Sequence, residues 1–230
     1  MRPTKRKALS ALLFALAIGC SVAFGADDPK PKPENTISVH LAQAVNPQKF
    51  AQPFTIAISD VMDRSGNPQP MLVYKPRGGI FTDRMPTEIL REALENSLKP
   101  AGLLASDKET ADLTARVYVF KFGLAASSGM DFFGSVEFSV MLKNPKTGAT
   151  QEVRASGTSI ANVAVLKKNI QKNVQENLET ALGDALTNFF RGAQLRDAVK
   201  TLMKAQENPA TGAEHPTDKP GASATQPQSK

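Results

Sequence analysis

Residues 166–190, LKKNIQKNVQENLETALGDALTNFF, decide how the rest of the chain is read. Leu166, Ile170, Val174, Leu178, Ala181, Leu182, Ala185, Leu186 and Phe189 recur three and four positions apart, so on a helix they form one apolar stripe. Lys167, Lys168, Lys172, Glu176, Glu179 and Asp184 fall on other faces. A stripe this broad needs a broad apolar partner. The upstream sequence supplies one in segments that alternate apolar and polar residues.

Working back from the helix, three such segments follow one another. Leu113, Ala115, Val117 and Val119 alternate with Thr114, Arg116, Tyr118 and Phe120. Val136, Phe138, Val140 and Leu142 form the next, after a small-residue turn from Ala125 to Gly134 with Met130, Phe132 and Phe133 near its tip. Asn144-Pro145-Lys146-Thr147-Gly148 then makes a tight connection to a return strand, Thr150 to Ser159. Its apolar side offers only Val153, Ala155 and Gly157, and Glu152, Arg154 and Ser156 lie opposite, so it reads as a charged edge strand. Phe54 to Met62 is a further strand, and Ile37, Val39 and Leu41 give a weaker signal.

Between these lies a helix. Thr82 or Asp83 is placed to cap it, Pro86 suits its first turn, Ile89, Leu90, Ala93, Leu94, Ser97 and Leu98 form its stripe, and Pro100 and Gly102 end it. A helix between Phe54–Met62 and Leu113 makes those two strands parallel neighbours joined by a right-handed crossover. Gly192 interrupts the long helix, and Leu195, Val199, Leu202 and Met203 give a shorter amphipathic helix or its continuation. The fold expected is α/β of the α+β kind: a two-layer sandwich with a small mixed sheet of four to five strands and two main helices on one face.

Residues 63–83 form a long connection punctuated by Gly66, Pro68, Pro70, Pro76, Gly78 and Gly79. Connections of this length are often binding loops. Met71, Leu72, Tyr74, Ile80 and Phe81 within it, with Phe132 and Phe133, are candidate partner contacts. The alternatives are that the loop residues form a short extra strand or fold back on the core, and that the Phe pair caps the core.

The amino terminus carries Arg2, Lys5, Arg6 and Lys7 before an uncharged apolar run from Ala8 to Ile18, the pattern of an export signal. The run is shorter than the ~20 residues of a membrane span. Two cleavage points compete: between Gly25 and Ala26 after a small-x-small triplet, or before Cys20, where Leu16-Ala17-Ile18-Gly19-Cys20 is similar to a lipobox and Cys20 is a candidate lipidation site. Either cut leaves the folded part without a cysteine for a disulfide. The domains expected are a signal at 1–25, a Pro-rich disordered linker at 26–36, one sandwich domain at 37–205 and a disordered tail at 206–230, which is too poor in large apolar residues to offset its ordering entropy. The net charge of +6 falls to +2 once the four basic residues of the signal are gone, so the basic balance does not point to nucleic acid.

The strand Phe54-Thr55-Ile56-Ala57-Ile58-Ser59-Asp60, the helix segment Ile89-Leu90-Arg91-Glu92-Ala93-Leu94 and the strand start Gly134-Ser135-Val136-Glu137-Phe138 resemble, in that order, the YajG-like small lipoproteins of the bacterial envelope. The resemblance spans roughly residues 50–190. It implies a place in the envelope rather than an activity.

No catalytic set emerges. His40 and His215 are the only histidines, and no Cys or carboxylate spacing builds a metal site around either. Ser65-Gly66 and Ser127-Ser128-Gly129 lack the nucleophile-elbow pattern and read as turns. Gly78-Gly79 beside Arg77 lacks the lysine and helix start of a phosphate loop. Asp60, Asp63, Glu137 and Glu152 qualify as paired carboxylates only if the fold joins them. The sequence therefore predicts no enzyme, cofactor or metal. It predicts a protein of the periplasm, or one tethered to the outer membrane by a lipid anchor alone, that binds an envelope protein or lipid component. A carrier of a small apolar ligand between sheet and helices is the alternative, and a hydrolase using carboxylates a third reading.

Overall fold

The computed structural model describes residues 36–41, 44–66, 71–72, 80–126, 131–162 and 169–207, all within one compact unit, Lys32–Lys230. Cys20, Gly25, Ala26, the linker at 26–35, Tyr74, the turn at 127–130 and the tail from 208 lie outside the described residues.

The main sheet has four strands in the order β2-β5-β6-β7: β2 (Ile56–Asp63), β5 (Leu113–Ala126), β6 (Asp131–Lys143) and β7 (Thr150–Asn162). β2 runs parallel to β5, and the other two pairings are antiparallel. The parallel pair and the edge position of β7 agree with the alternation pattern. The β5–β6 ladder runs further than that pattern indicates, to Ala126 opposite Phe132, so Phe132 and Phe133 belong to a strand and not to a turn tip. Gly123, Ala125, Ala126 and Gly134 keep the ladder's hydrogen bonds but carry no alternating apolar signal.

A second, three-stranded sheet has the order β1-β4-β3, from β1 (Thr36–Ile37), β3 (Met71–Leu72) and β4 (Ile80–Thr82). Part of the long connection thus folds back as an extra hairpin, with Met71 opposite Phe81 and Leu72 opposite Ile80. The weak strand signal at Ile37 to Leu41 shrinks to two residues, because only Thr36 and Ile37 find a partner, in β4.

Three helices cover one face of the main sheet. α1 (Pro86–Leu98) buries Ile89, Leu90, Ala93, Leu94, Ser97 and Leu98, the expected stripe. Its N-cap is Met85 rather than Thr82 or Asp83. Pro86 at the first position forces the residue before it into the extended region, and Met85 has ψ 144°. Thr82 and Asp83 are used elsewhere: the Thr82 hydroxyl donates to the Arg84 carbonyl at 2.6 Å and the Asp83 carboxylate accepts from the Ser38 hydroxyl.

α2 (Ile170–Arg191) buries Val174, Leu178, Ala181, Leu182, Ala185, Leu186, Phe189 and Phe190 against the sheet, each large side chain contributing about 1.5–3 kcal/mol. Gly192 is extended and ends it, so α3 (Ala193–Glu207) is a separate helix, running two residues beyond the expected end of the domain. The buried Asn144 fixes α3: its Nδ2 donates to the Leu202 carbonyl at 3.1 Å, and its Oδ1 accepts from Lys146 and Thr147 N–H groups in the β6–β7 turn.

Residues 36–41 and 44–52 include a strap bonded to the helices. The Val45 N–H donates to Ser97 of α1 at 3.2 Å, the His40 N–H to Glu179 of α2 at 3.1 Å, and the Gln48 side-chain amide Nε2 to the Gly192 carbonyl at 3.2 Å. Ile37 and Val39 are buried with the main core.

Candidate functional site

Each edge of the main sheet has some of its backbone groups bonded. At the β2 edge, Ile56 bridges to Leu104, and the Ile58 and Ser59 carbonyls accept from Arg91 at 3.4 Å and Lys108 at 3.1 Å. At the β7 edge, the Thr158 N–H donates to Asp184 Oδ2 at 3.2 Å and Asn188 Nδ2 donates to the Ser156 carbonyl at 2.8 Å. Two polar side chains of α2 thus satisfy backbone groups that would otherwise invite a further strand.

The face turned away from the helices is open among the described residues. Strand alternation and register place on it Arg116, Tyr118 and Phe120 of β5, Phe133, Glu137, Ser139 and Met141 of β6, and Glu152, Arg154 and Ile160 of β7. The exposed large hydrophobic residues of the described chain, Phe120 at 37%, Met141 at 36% and Ile160 at 68%, all lie here. A bulge between Val119 and Lys121 leaves Phe120 without a register partner and brings Lys121 opposite Glu137. Arg154 lies over the Phe120 ring at 5.8 Å and Arg64 over the Tyr118 ring at 5.5 Å, which holds both aromatics upright. Beneath them Ser139, flanked in register by Tyr118 and Arg154, is fully buried, and its hydroxyl has no hydrogen-bond partner.

The residues singled out from the sequence separate into three groups. Phe133 is half-buried on the open face, directly opposite Ile160. Ile80 and Phe81 are buried in the protein, so neither side chain is free for a partner; the apolar residues of the connection serve the small sheet. Met71 and Leu72 are the backbone partners of those two, and Phe132 pairs with Ala126 and Ala161. Sequence reasoning placed Phe120 on the second face of its strand without reading it as a surface feature, and did not single out Met141 or Ile160. The signal was present: an aromatic outer face, with every helix stripe placed on the other side of the sheet.

The carboxylates do not converge. Asp60 pairs with Arg116 across β2 and β5, Glu137 lies opposite Lys121, Glu152 is 3.2 Å from Arg154, and Asp63 accepts the Ser65 N–H at 2.7 Å in the turn before Gly66. Among the described residues no group of three His, Cys, Asp or Glu side chains is placed to hold a metal ion. One space between sheet and helices, lined by Ile56, Ile58, Leu94, Leu98, Ala115, Val117, Val140, Leu142 and Phe189, amounts to about 10 Å³, the size of one water and too small for an apolar ligand.

One ionic cluster stands apart. The Arg84 guanidinium pairs with Glu92, donates to the Val39 carbonyl at 3.1 Å and lies 3.1 Å from His40 Nδ1, which makes that nitrogen the acceptor and leaves the ring proton on Nε2. The hydrogen bond to Glu92 raises the Arg84 pKa above the ordinary arginine range, against a smaller opposing effect of burial. This cluster ties the strap to α1 and is structural.

No family model matches the chain, and no curated protein matches it. Solved structures do. Protein XCC0632 of Xanthomonas campestris, assigned to family DUF330, superposes with a TM-score of 0.51 at 12% identity, over 72% of this chain and 98% of that one. The hypothetical protein CT253 of Chlamydia trachomatis gives 0.42 at 10% identity, over 65% and 99%. A putative lipoprotein of Caulobacter crescentus gives 0.33 at 18% identity, over 50% and 80%. The first of these likenesses shows a shared fold. No helix among the described residues is long and apolar enough to cross a membrane.

Proposed function

We propose that this chain is an exported, non-enzymatic protein of the bacterial envelope, periplasmic or tethered through Cys20, which binds another envelope protein through the open face of its main sheet. The observation that carries the reading is the gathering of Phe120, Met141 and Ile160, with Tyr118 and Phe133, on the face the helices leave bare. Aromatic residues, Met and Arg are the residue types enriched at protein interfaces, and Arg116 and Arg154 border this patch. The covered edges argue for docking on the face and against strand addition. The export signal and the resemblance to YajG-like lipoproteins support the location.

The test is a photo-crosslinking residue placed at Ile160 or Phe120 in living cells, with Lys172 on the outer side of α2 as the control position. A discrete protein adduct from the sheet face, absent from the control and abolished by Met141→Asp, is the expected result. Equal adducts from both faces, or none from the sheet, would remove the reading.

A further inference from the structure

A groove of about 380 Å³ shares no lining residue with the patch just described; its walls are Phe50, Ala51 and Gln52 of the strap and one side of α3. Its floor is apolar: Phe50, packed edge-on against Phe54 at 4.7 Å, with Val199 and Met203. Its rim is cationic. Arg196, Lys200 and Lys204 are spaced four residues apart and so follow one side of the helix. The one acidic residue lining the groove, Asp197, lies 3.8 Å from Arg196 Nε. Lys200 and Lys204 are exposed and have no carboxylate partner among the described residues, and the described rim carries three basic groups to one acidic.

The geometry points to a binding site for a single-chain anionic amphiphile, a fatty carboxylate, with the acyl chain along Phe50, Val199 and Met203 and the carboxylate between Lys200 and Lys204. Three features select this ligand. The volume is near the lower end of the roughly 300–1,000 Å³ of small-molecule sites, which suits one chain rather than two. The apolar floor demands a hydrocarbon. The row of Arg196, Lys200 and Lys204 favours an anion at one end of it, and lysines that lie along apolar surface with their charged ends in water suit such a head group. The site shares no residue with the open sheet face.

Isothermal titration of the full mature protein with laurate, below its micelle concentration, tests it. Laurate binds with one-to-one stoichiometry and weakens as salt is raised, whereas dodecylammonium, the same chain with the opposite charge, does not bind. The double variant K200E/K204E, exposed at both positions, keeps its melting temperature and loses about tenfold in laurate affinity, the sum expected for exposed ion pairs. Loss of binding in Met203→Asp identifies the chain path. Equal binding of both amphiphiles, or undiminished affinity in K200E/K204E, overturns the proposal. So does sedimentation with phosphatidylglycerol vesicles without binding of monomeric laurate, which would make the helix face a membrane contact instead.

Discussion

Gly157 of β7 lies in direct backbone contact with Ala185 of α2: a Cβ built on Gly157 would stand 2.2 Å from the Ala185 nitrogen and 2.2 Å from the Ala181 carbonyl oxygen. The obstacles are main-chain atoms of a helix, which cannot turn aside as a side chain can. Gly157→Ala must therefore lift α2 off the sheet or bend β7, and overpacking of this kind costs roughly 1–3 kcal/mol or more. Urea unfolding should show a lower midpoint with little change in slope. Gly183→Ala supplies the contrast. Gly183 is inside the same helix, and its added Cβ meets only Leu41 Cδ1, at an ordinary 3.7 Å. Removing a helix-interior glycine there should raise stability by about 0.5–1 kcal/mol. The same substitution thus has opposite signs on β7, where the helix backbone presses on it, and inside α2, where there is room, and equal signs would contradict the backbone packing described.

Leu178 sits in the middle of the α2 stripe and is fully buried. Leu178→Ala removes its packing and leaves a void in the core, so the expected cost is roughly 2–5 kcal/mol. Thermal or urea unfolding measures it. A variant that unfolds like the parent would mean that α2 is not seated on the sheet.

Arg84 holds the strap. Lysine keeps the charge but not the fork that reaches Glu92, Val39 and His40 together, so Arg84→Lys should cost about 1–2 kcal/mol and speed amide exchange at Val39 and His40 before it affects β5 or β6. The pH dependence follows from the direction of the shift. The folded-state pKa is raised, so the stabilisation is fully present below the unfolded-state value and is lost only as pH climbs through the folded one. That window lies above the ordinary arginine range. The stability difference between parent and Arg84→Met should therefore carry no contribution from Arg84 titration at any pH at which the protein is normally handled.

The sequence made the layers legible because their physics is periodic. The α2 stripe, the α1 stripe and the alternation of β5 and β6 each follow from one repeat distance, and the parallel β2–β5 pair follows from the helix between them. What escaped was set by contacts without a period. Ile80 and Phe81 stood between two readings, partner contacts in a loop or a short extra strand; the three-residue β4 carries them, both buried, and no window that short decides between the two. Gly157 looked like a weakness of β7; it is the clearance that lets α2 approach. The open face of the sheet could be inferred only by noticing that the chain has no second set of helices to cover Tyr118, Phe120 and Met141.

The last prediction concerns that same edge strand. β7 has thirteen residues, and charge along its outward face was the expected guard against pairing with another chain. The structure adds a more local guard, since Asp184 and Asn188 occupy the Thr158 N–H and the Ser156 carbonyl. The double variant D184A/N188A leaves both backbone groups unpaired at the edge, each lost bond costing about 0.5–1.5 kcal/mol. More tellingly, it frees a donor and an acceptor two residues apart on the same side of a strand, the spacing that a second β7 can match. Sedimentation velocity across a concentration series should show self-association in the double variant and not in the parent, and a Thr158→Pro change added to it, which removes the donor, should reverse the effect. If the double variant stays monomeric while its melting temperature falls, the two side chains stabilise the fold without guarding the edge.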